Sequence, residues 1–363
     1  MAFDSDFGPR AIISTAALRH NLSVIRGRAP HSKVIAVIKA NAYGHGLVPT
    51  ARAFSAADAL GVARLPEALV LRGHGVQGRV VLLEGVFTTD ELAAAVAHDL
   101  EIVVHAPEQL ALLREWRGDG ALRVWLKVDT GMNRLGFRAE DFSAAWQALN
   151  TCSVVAPAIK VMTHLACADE RGNAHTLAQL TQFNALAANL NFERSVVNSA
   201  GLLAWPQAQF EWVRPGLMLY GISPFNDDDA SVHNLQAVMT LATRLIAVRL
   251  VRAGETVGYG GSWRAQTDVR VGIAAVGYGD GYPRQIASDS PVLVGGHTAT
   301  IAGRVSMDMI AIDLSHLPSA AVGDEVTLWG KGLPVERIAR CATTIPYELV
   351  CGISQRVGVD YRD

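Results

Sequence analysis

The run Ala36-Val37-Ile38-Lys39 ends an apolar stretch on a lysine, and Ala40-Asn41-Ala42-Tyr43-Gly44-His45-Gly46 follows at once. An isolated lysine at a strand end ordinarily snorkels its ammonium into water. Here the glycine-rich loop lets backbone approach a ligand closely, and a desolvated lysine with a depressed pKa condenses with carbonyls to form a Schiff base. Lys39 is therefore a candidate nucleophile. A second run, Val124-Trp125-Leu126-Lys127-Val128-Asp129-Thr130-Gly131, leads into a tight loop carrying Arg134. Either Arg134 pairs with Asp129 and shapes that loop, or it offers a guanidinium fork to a carboxylate, which arginine grips bidentately and lysine does not. Three further segments set polar groups at or just past apolar runs: Thr163-His164 through Asp169-Glu170, Asn198-Ser199-Ala200, and Arg214-Pro215-Gly216-Leu217. Singly they are weak, because a lone histidine in an apolar strand is more often a core residue and Arg-Pro-Gly is an ordinary turn. Taken alone, Val257-Gly258-Tyr259-Gly260-Gly261 is a tyrosine in a β-turn.

The elements that must position these groups are legible as alternation. Strand-like runs at Val34–Lys39, Ala59–Arg64, Arg79–Leu83, Glu101–His105, Leu122–Val128, Ile159–His164, Ser195–Ser199 and Trp212–Tyr220 are separated by amphipathic stretches. Helix starts are marked by the acids Asp90-Glu91 and by Pro107. Leu180, Phe183, Leu186 and Leu190 make one apolar face over Gln179–Leu190. Eight strands alternating with helices predict a closed parallel (β/α)8 barrel. An open doubly wound sheet is the rival, but no GxGxxG opens a strand–helix unit. After Asn226-Asp227-Asp228-Asp229 the rhythm shortens to Ala237–Leu250, Val269–Val276, Pro291–Val294, Thr298–Ala302, Met309–Leu314 and Glu325–Trp329, with the short helix Val335–Cys341. The expectation is an α/β chain with a TIM-type barrel over 1–230 and a mainly β domain over 231–363.

Composition agrees with a buried barrel. Of 363 residues, 50% are hydrophobic and only 18% charged, against about 25% charged in an average soluble protein. Disorder is excluded by that hydrophobicity together with a net charge of −2. Lys+Arg 32 against Asp+Glu 34 provides no electrostatic ground for nucleic acid or an anionic membrane. The start Met1-Ala2-Phe3-Asp4-Ser5-Asp6 lacks the basic and apolar regions of a signal peptide. Cys152, Cys167, Cys341 and Cys351 show no CxxC spacing and read as free thiols in a reducing compartment. A cytoplasmic chain with no metal site is expected.

The segment from Lys39 to Gly46 resembles the pyridoxal-phosphate attachment motif of alanine racemases, and further blocks follow in that family's order along the whole chain. The resemblance implies an N-terminal barrel, a C-terminal β domain and a homodimer with shared active sites. It implies pyridoxal 5'-phosphate on Lys39, with Tyr43, Tyr347, Ser199 and the N–H groups of Gly216 and Leu217 at its phosphate. Arg214 then faces the pyridine nitrogen, with His164 as its hydrogen-bond partner. Since arginine cannot give up a proton near neutrality, that nitrogen stays unprotonated and the ring is a weaker electron sink, which favours quick reprotonation and hence racemisation. Arg134 and the Met307 N–H hold the substrate carboxylate, and Lys127 matches a lysine carbamylated in many relatives, which orients that arginine. Tyr259 of the partner chain is the second base opposite Lys39. Tyr278, Arg284 and Arg304 line the entrance, with Asp169 and Asp308 in supporting positions. Ser306 stands where some relatives have cysteine, and Pro346 where asparagine is commoner.

The expected activity is a two-base interconversion of L- and D-alanine, supplying D-alanine for peptidoglycan or serving alanine catabolism. The alternatives are a racemase of serine or basic amino acids, a related pyridoxal-phosphate decarboxylase, and a single-barrel cofactor carrier. The decarboxylases carry a different lysine motif and a GGGF-type phosphate segment, neither of which is present. The carriers lack the second domain that brings Tyr259.

Overall fold

The computed structural model describes residues 7–187 and 191–363. The acidic start Met1–Asp6 and Leu190, the last position of the predicted apolar face, lie outside these residues. Strand β1 (Arg10–Ser14) comes first in the chain. The next eight strands are β2 (Lys33–Val37), β3 (Ala59–Val62), β4 (Val80–Leu82), β5 (Glu101–Val104), β6 (Arg123–Lys127), β7 (Lys160–Met162), β8 (Arg194–Ser195) and β9 (Trp212–Val213). They pair in parallel, and β9 returns to β2 to close the barrel. All eight predicted barrel runs are present. Most of their residues are buried, as expected of strands covered by side chains within and helices without.

Six runs end one or two residues earlier than predicted, and two end well short. The chain leaves β8 at Ser195, and Ser199 opens the helix Ser199–Ala204 behind the N-cap Asn198, whose side chain accepts from Gly201 N–H. It leaves β9 at Val213, before Pro215, which has no N–H for a ladder, and Leu217–Tyr220 winds as a 3-10 turn.

The chain divides into two compact units. One is the barrel, Arg19–Leu219, and the other comprises Tyr220–Asp363 together with the described residues up to Leu18. Strand β1 therefore lies outside the barrel. It pairs antiparallel with β10 (Met239–Val251) and parallel with β18 (Gly358–Arg362). Its alternation of buried and half-buried residues suits a sheet with one covered face. Between β10 and β18 run the hairpin β11 (Thr256–Val257) and β12 (Trp263–Arg264), then β13 (Val269–Ala274), β14 (Pro291–Val294), β15 (His297–Ile301), β16 (Ile310–Asp313) and β17 (Glu325–Trp329). The large sheet has the order β13-β16-β15-β14-β17-β10-β1-β18. Among the described residues, no helix is long and apolar enough to cross a membrane.

The barrel interior is packed by Ile35, Ala59, Val81, Val103, Trp125, Met162 and Trp212. Trp125 and Trp212 meet edge to face, with centroids 5.5 Å apart at 81°. At the N-terminal end of the strands, fully buried Glu101 accepts from Arg79 Nε and from Trp125 Nε1 (2.9 Å), and Lys160 Nζ lies 3.6 Å away. Arg79 and Lys160 also cover the Trp212 and Trp125 rings at 4.9 and 5.1 Å. Burial alone would raise the Glu101 pKa. The Arg79 hydrogen bond and the charges of Lys160 and Arg79 outweigh it and hold the carboxyl below its ordinary 4.5.

The stability Glu101 contributes is therefore complete above about pH 4.5 and is lost as pH falls through its depressed pKa. Glu101→Ala removes the carboxylate shared by Arg79, Arg123 and Lys160 at the barrel foot and is expected to cost about 3 kcal/mol in urea unfolding at neutral pH, the difference narrowing in acid. Coincident unfolding curves at neutral pH would contradict this account.

Candidate active site

The barrel places its chemistry-bearing residues beyond the C-terminal ends of its strands, the end where barrel enzymes keep their active sites. Lys39 stands two residues past β2. The chain then reverses its hand, with φ of 54, 53, 54 and 53° at Ala40, Asn41, Ala42 and Tyr43, before Gly44 ends the turn at φ 79°. A left-handed turn costs L-residues about 1–2 kcal/mol each, so the segment persists only because its surroundings over-determine it. Gly44 N–H donates to Ala40 O (3.1 Å), Gly46 N–H to Asn41 O (3.0 Å) and Leu47 N–H to Asn41 Oδ1 (2.9 Å). Fully buried His45 holds the last two carbonyls of the turn through Nδ1, at 3.1 Å from Ala42 O and 2.8 Å from Tyr43 O. Both partners are acceptors, so Nδ1 carries the proton. Burial lowers the His45 pKa to about 4, and the ring is neutral.

Past β6, Asp129 Oδ1 accepts from Gly131 and Asn133 N–H (2.9 and 3.1 Å) and shapes the loop. Exposed Arg134 makes no hydrogen bond or ion pair with the described residues, so the loop does not consume its guanidinium. Past β9, buried Arg214 donates to Ser195 Oγ (2.6 Å), Thr163 O (2.6 Å) and Val196 O (3.3 Å), and approaches His164 Nδ1 at 3.5 Å. Burial lowers its pKa to about 10, which leaves it charged at neutrality and able only to donate. His164 is driven well below its ordinary pKa by burial and by the charges of Arg214, Lys127, Arg134 and Lys39. It is neutral and faces Arg214 with an acceptor nitrogen. Lys127, at the end of β6, is lowered to about 8 by burial and then by Arg214, Arg134 and Lys39, with Asp129 offsetting part of the shift.

Beside this charge lies a small cradle. Ser199 Oγ accepts from Gly216 N–H (3.0 Å) and Met218 N–H (3.2 Å), and Leu217 is buried between those two donors. A Cβ on Gly216 would stand 2.5 Å from Tyr43 Oη, so glycine is what lets the tyrosine hydroxyl close on that backbone. Ser199, Gly216 and Tyr43 thus converge, and Asp169 is exposed in the loop past β7. These groups suit an anionic, phosphate-bearing ligand: a hydroxyl and backbone N–H groups beside a neighbourhood of cations.

The second unit carries the remaining candidates. Tyr259 is 67% exposed on the β11–β12 turn, flanked by Gly258 (φ 73°) and Gly260 (φ 72°). The Arg304 guanidinium lies beside that turn, 3.6 Å from where a Gly260 Cβ would be. Tyr278 N–H donates to Ser306 O (3.0 Å) and Gly279 N–H to Met307 O (2.9 Å), which joins the Gly277–Tyr282 loop to the segment of Met307 and Asp308. Arg284 is exposed. Tyr347 is partly exposed in the helix Pro346–Cys351, where Pro346 occupies a first-turn position that suits it.

Three supporting residues escaped the sequence reading. Glu67 joins Ala40 N–H to Ala63 N–H, at 2.7 Å each. Its sequence signal was a glutamate in the first turn after Leu65-Pro66. Arg356 links Asp308 (2.7 Å) to buried Asp280 (3.4 Å), and Ser195 holds Arg214. Neither had a local signal.

A closed parallel barrel whose mouth gathers a lysine, two arginines, a neutral histidine and a serine–glycine cradle has the layout of a barrel enzyme, with its polar groups collected past the C-terminal ends of the strands. Residues 13–224 match the alanine racemase N-terminal domain and residues 238–361 the alanine racemase C-terminal domain. The chain belongs to the alanine racemase family, a family of isomerases. It is 50% identical over 351 residues to the alanine racemase of Shewanella baltica, covering 97% of this chain and 98% of that one. The crystal structure of the biosynthetic alanine racemase from Pseudomonas aeruginosa superposes with a TM-score of 0.95 at 42% identity, over 98% of this chain and 100% of that one. The alanine racemase from Bartonella henselae with covalently bound pyridoxal phosphate is similar at a TM-score of 0.85 and 26% identity, over 98% of this chain and 99% of that one.

The unfolded chain keeps the Lys127 proton up to its ordinary 10.5, so folding stability rises as pH climbs from about 8 to 10.5. With no anionic ligand added, Lys127→Met is expected to unfold at higher urea than wild type at neutral pH, with the gap closing in alkali. Equal midpoints at both pH values would refute the charge crowding.

Proposed function

We propose that this chain interconverts L- and D-alanine with pyridoxal phosphate at the barrel mouth, as a homodimer whose sites take residues from both chains. The observation that carries the reading is the family match across both domains, with Lys39, Arg134 and Arg214 gathered where an anionic group would sit. When bound, pyridoxal phosphate supplies an electron sink that acidifies the Cα–H of an amino acid. The residues fit it, since the space left by the absent Gly216 Cβ is the space Tyr43 Oη needs beside Ser199.

In this reading Lys39 binds the cofactor, and Ser199, Tyr43, Tyr347 and the backbone at Gly216 and Leu217 hold its phosphate. Arg214 faces the ring as a donor only, kept in place by Ser195, Thr163 and Val196. Arg134 and the Met307 N–H take the substrate carboxylate, with Lys127 behind Arg134. Inverting Cα requires a proton removed on one side and another delivered on the opposite side, hence two bases. Lys39 is one. Tyr259 from the partner chain is the other, and its exposure on a glycine-flanked turn supports that assignment. Tyr278, Arg284, Arg304, Asp169 and Asp308 would line or brace the approach.

Lys39→Ala should eliminate the visible absorbance of lysine-bound pyridoxal phosphate, and an unchanged band would sink the Lys39 assignment. Tyr259→Phe should abolish racemisation in both directions, since each needs both bases, while Cα–H exchange is lost mainly for L-alanine. Mixing the two inactive variants tests subunit sharing. Random re-pairing of a homodimer with shared sites restores about a quarter of wild-type activity, whereas sites built within one chain restore none. Cα hydrogen–deuterium exchange in D2O across a panel of L-amino acids reads out reaction and substrate range together, and exchange absent with alanine would overturn the proposed activity.

A further inference from the structure

The left-handed turn after Lys39 is anchored at both ends by side chains. At its start, Glu67 Oε1 accepts from Ala40 N–H (2.7 Å). That N–H shares a planar peptide unit with the Lys39 carbonyl, so the carboxylate sets the orientation of the plane leaving Lys39. The other oxygen, Oε2, accepts from Ala63 N–H (2.7 Å) and Arg64 N–H (3.3 Å), just past β3. One carboxylate therefore ties the Lys39–Ala40 peptide to the end of the neighbouring barrel strand. At the far end, His45 Nδ1–H reaches the Ala42 and Tyr43 carbonyls at 3.1 and 2.8 Å from a fully buried position. Four consecutive non-glycine residues at φ 53–54° do not keep that hand on their own.

We propose that His45 and Glu67 are positioning residues for Lys39: together they hold the reversed turn that sets where the lysine amine stands. Both act through main-chain groups of the turn. The inference rests on the reading of Lys39 as the cofactor lysine and adds the two groups that aim it. The same turn sets Tyr43, whose hydroxyl packs against Gly216, so relaxation of the turn would misplace the amine and the phosphate cradle together.

The test strips the full-length enzyme of pyridoxal phosphate, adds the cofactor back, and follows the rate at which the visible band of the lysine-bound form returns, alongside the thermal midpoint. His45→Leu removes the donor, and Glu67→Gln replaces one acceptor oxygen by an N–H donor that opposes a backbone N–H. Each is expected to slow return of the band at least about tenfold. His45→Asn, whose amide N–H falls near the former Nδ1–H, should recover the rate to within about threefold of wild type. Glu67→Gln, on a half-buried side chain, carries the test should His45→Leu fail to fold. Wild-type capture rates with lowered thermal midpoints would overturn the proposal, because they are the mark of a purely structural role. So would a His45→Asn variant as slow as His45→Leu. Lys39→Ala run in parallel separates the two claims: a band forming without Lys39 refutes the cofactor-lysine reading, whatever His45 and Glu67 do.

Discussion

Arg214, Lys127, Arg134 and Lys39 direct four cationic groups at one histidine at the barrel mouth, and the rest of the site answers to that repulsion. Arg214 keeps its charge because burial lowers its pKa only to about 10 and three oxygens accept its protons. Burial, reinforced by these charges, keeps His164 neutral and lowers Lys127 to about 8. Asp129 only partly offsets the crowding at Lys127, since its carboxylate also holds the Gly131–Asn133 loop. Such an arrangement suits an anion, because each cation that an anion neutralises relieves the others.

At the opposite end of the barrel the cations share a carboxylate. There one buried carboxylate, Glu101, is surrounded by Arg79, Arg123 and Lys160, and the cations lie over tryptophan faces. Charges at the foot are paired around one buried carboxylate, which suits a rigid base, whereas Arg134 at the mouth has no ion pair among the described residues. The strain of the left-handed turn sits at the mouth as well. It can be held there because the strands beneath it are closed on each other and packed through Trp125 and Trp212.

Much of this was legible along the chain. Barrel strands covered on both faces are mostly continuous apolar runs, and these located the strands, although β8 meets its predicted run only at Ser195. Strands β1 and β18 were not, because their pairing joins Arg10 to Gly358 across almost the whole sequence, and five alternating residues near a terminus carry no local mark of it. In the site, Lys39, Arg134, His164, Ser199 and Arg214 stood out by type at strand ends. Glu67 and Arg356 did not: a glutamate in a helix's first turn and an exposed arginine in a loop are unremarkable until the backbone N–H and the two carboxylates they serve come beside them.

By itself, then, the sequence determined which groups reach the ends of the barrel strands, since the spacing of apolar runs decides where each strand stops and which residue follows. Tertiary structure alone decided the hand of the turn after Lys39, the tautomer of His45, the acceptors that keep Arg214 in place and the depressed pKa of Lys127. Each of these depends on burial, or on partners brought close only when the barrel closes, and a linear pattern encodes neither distance nor dielectric.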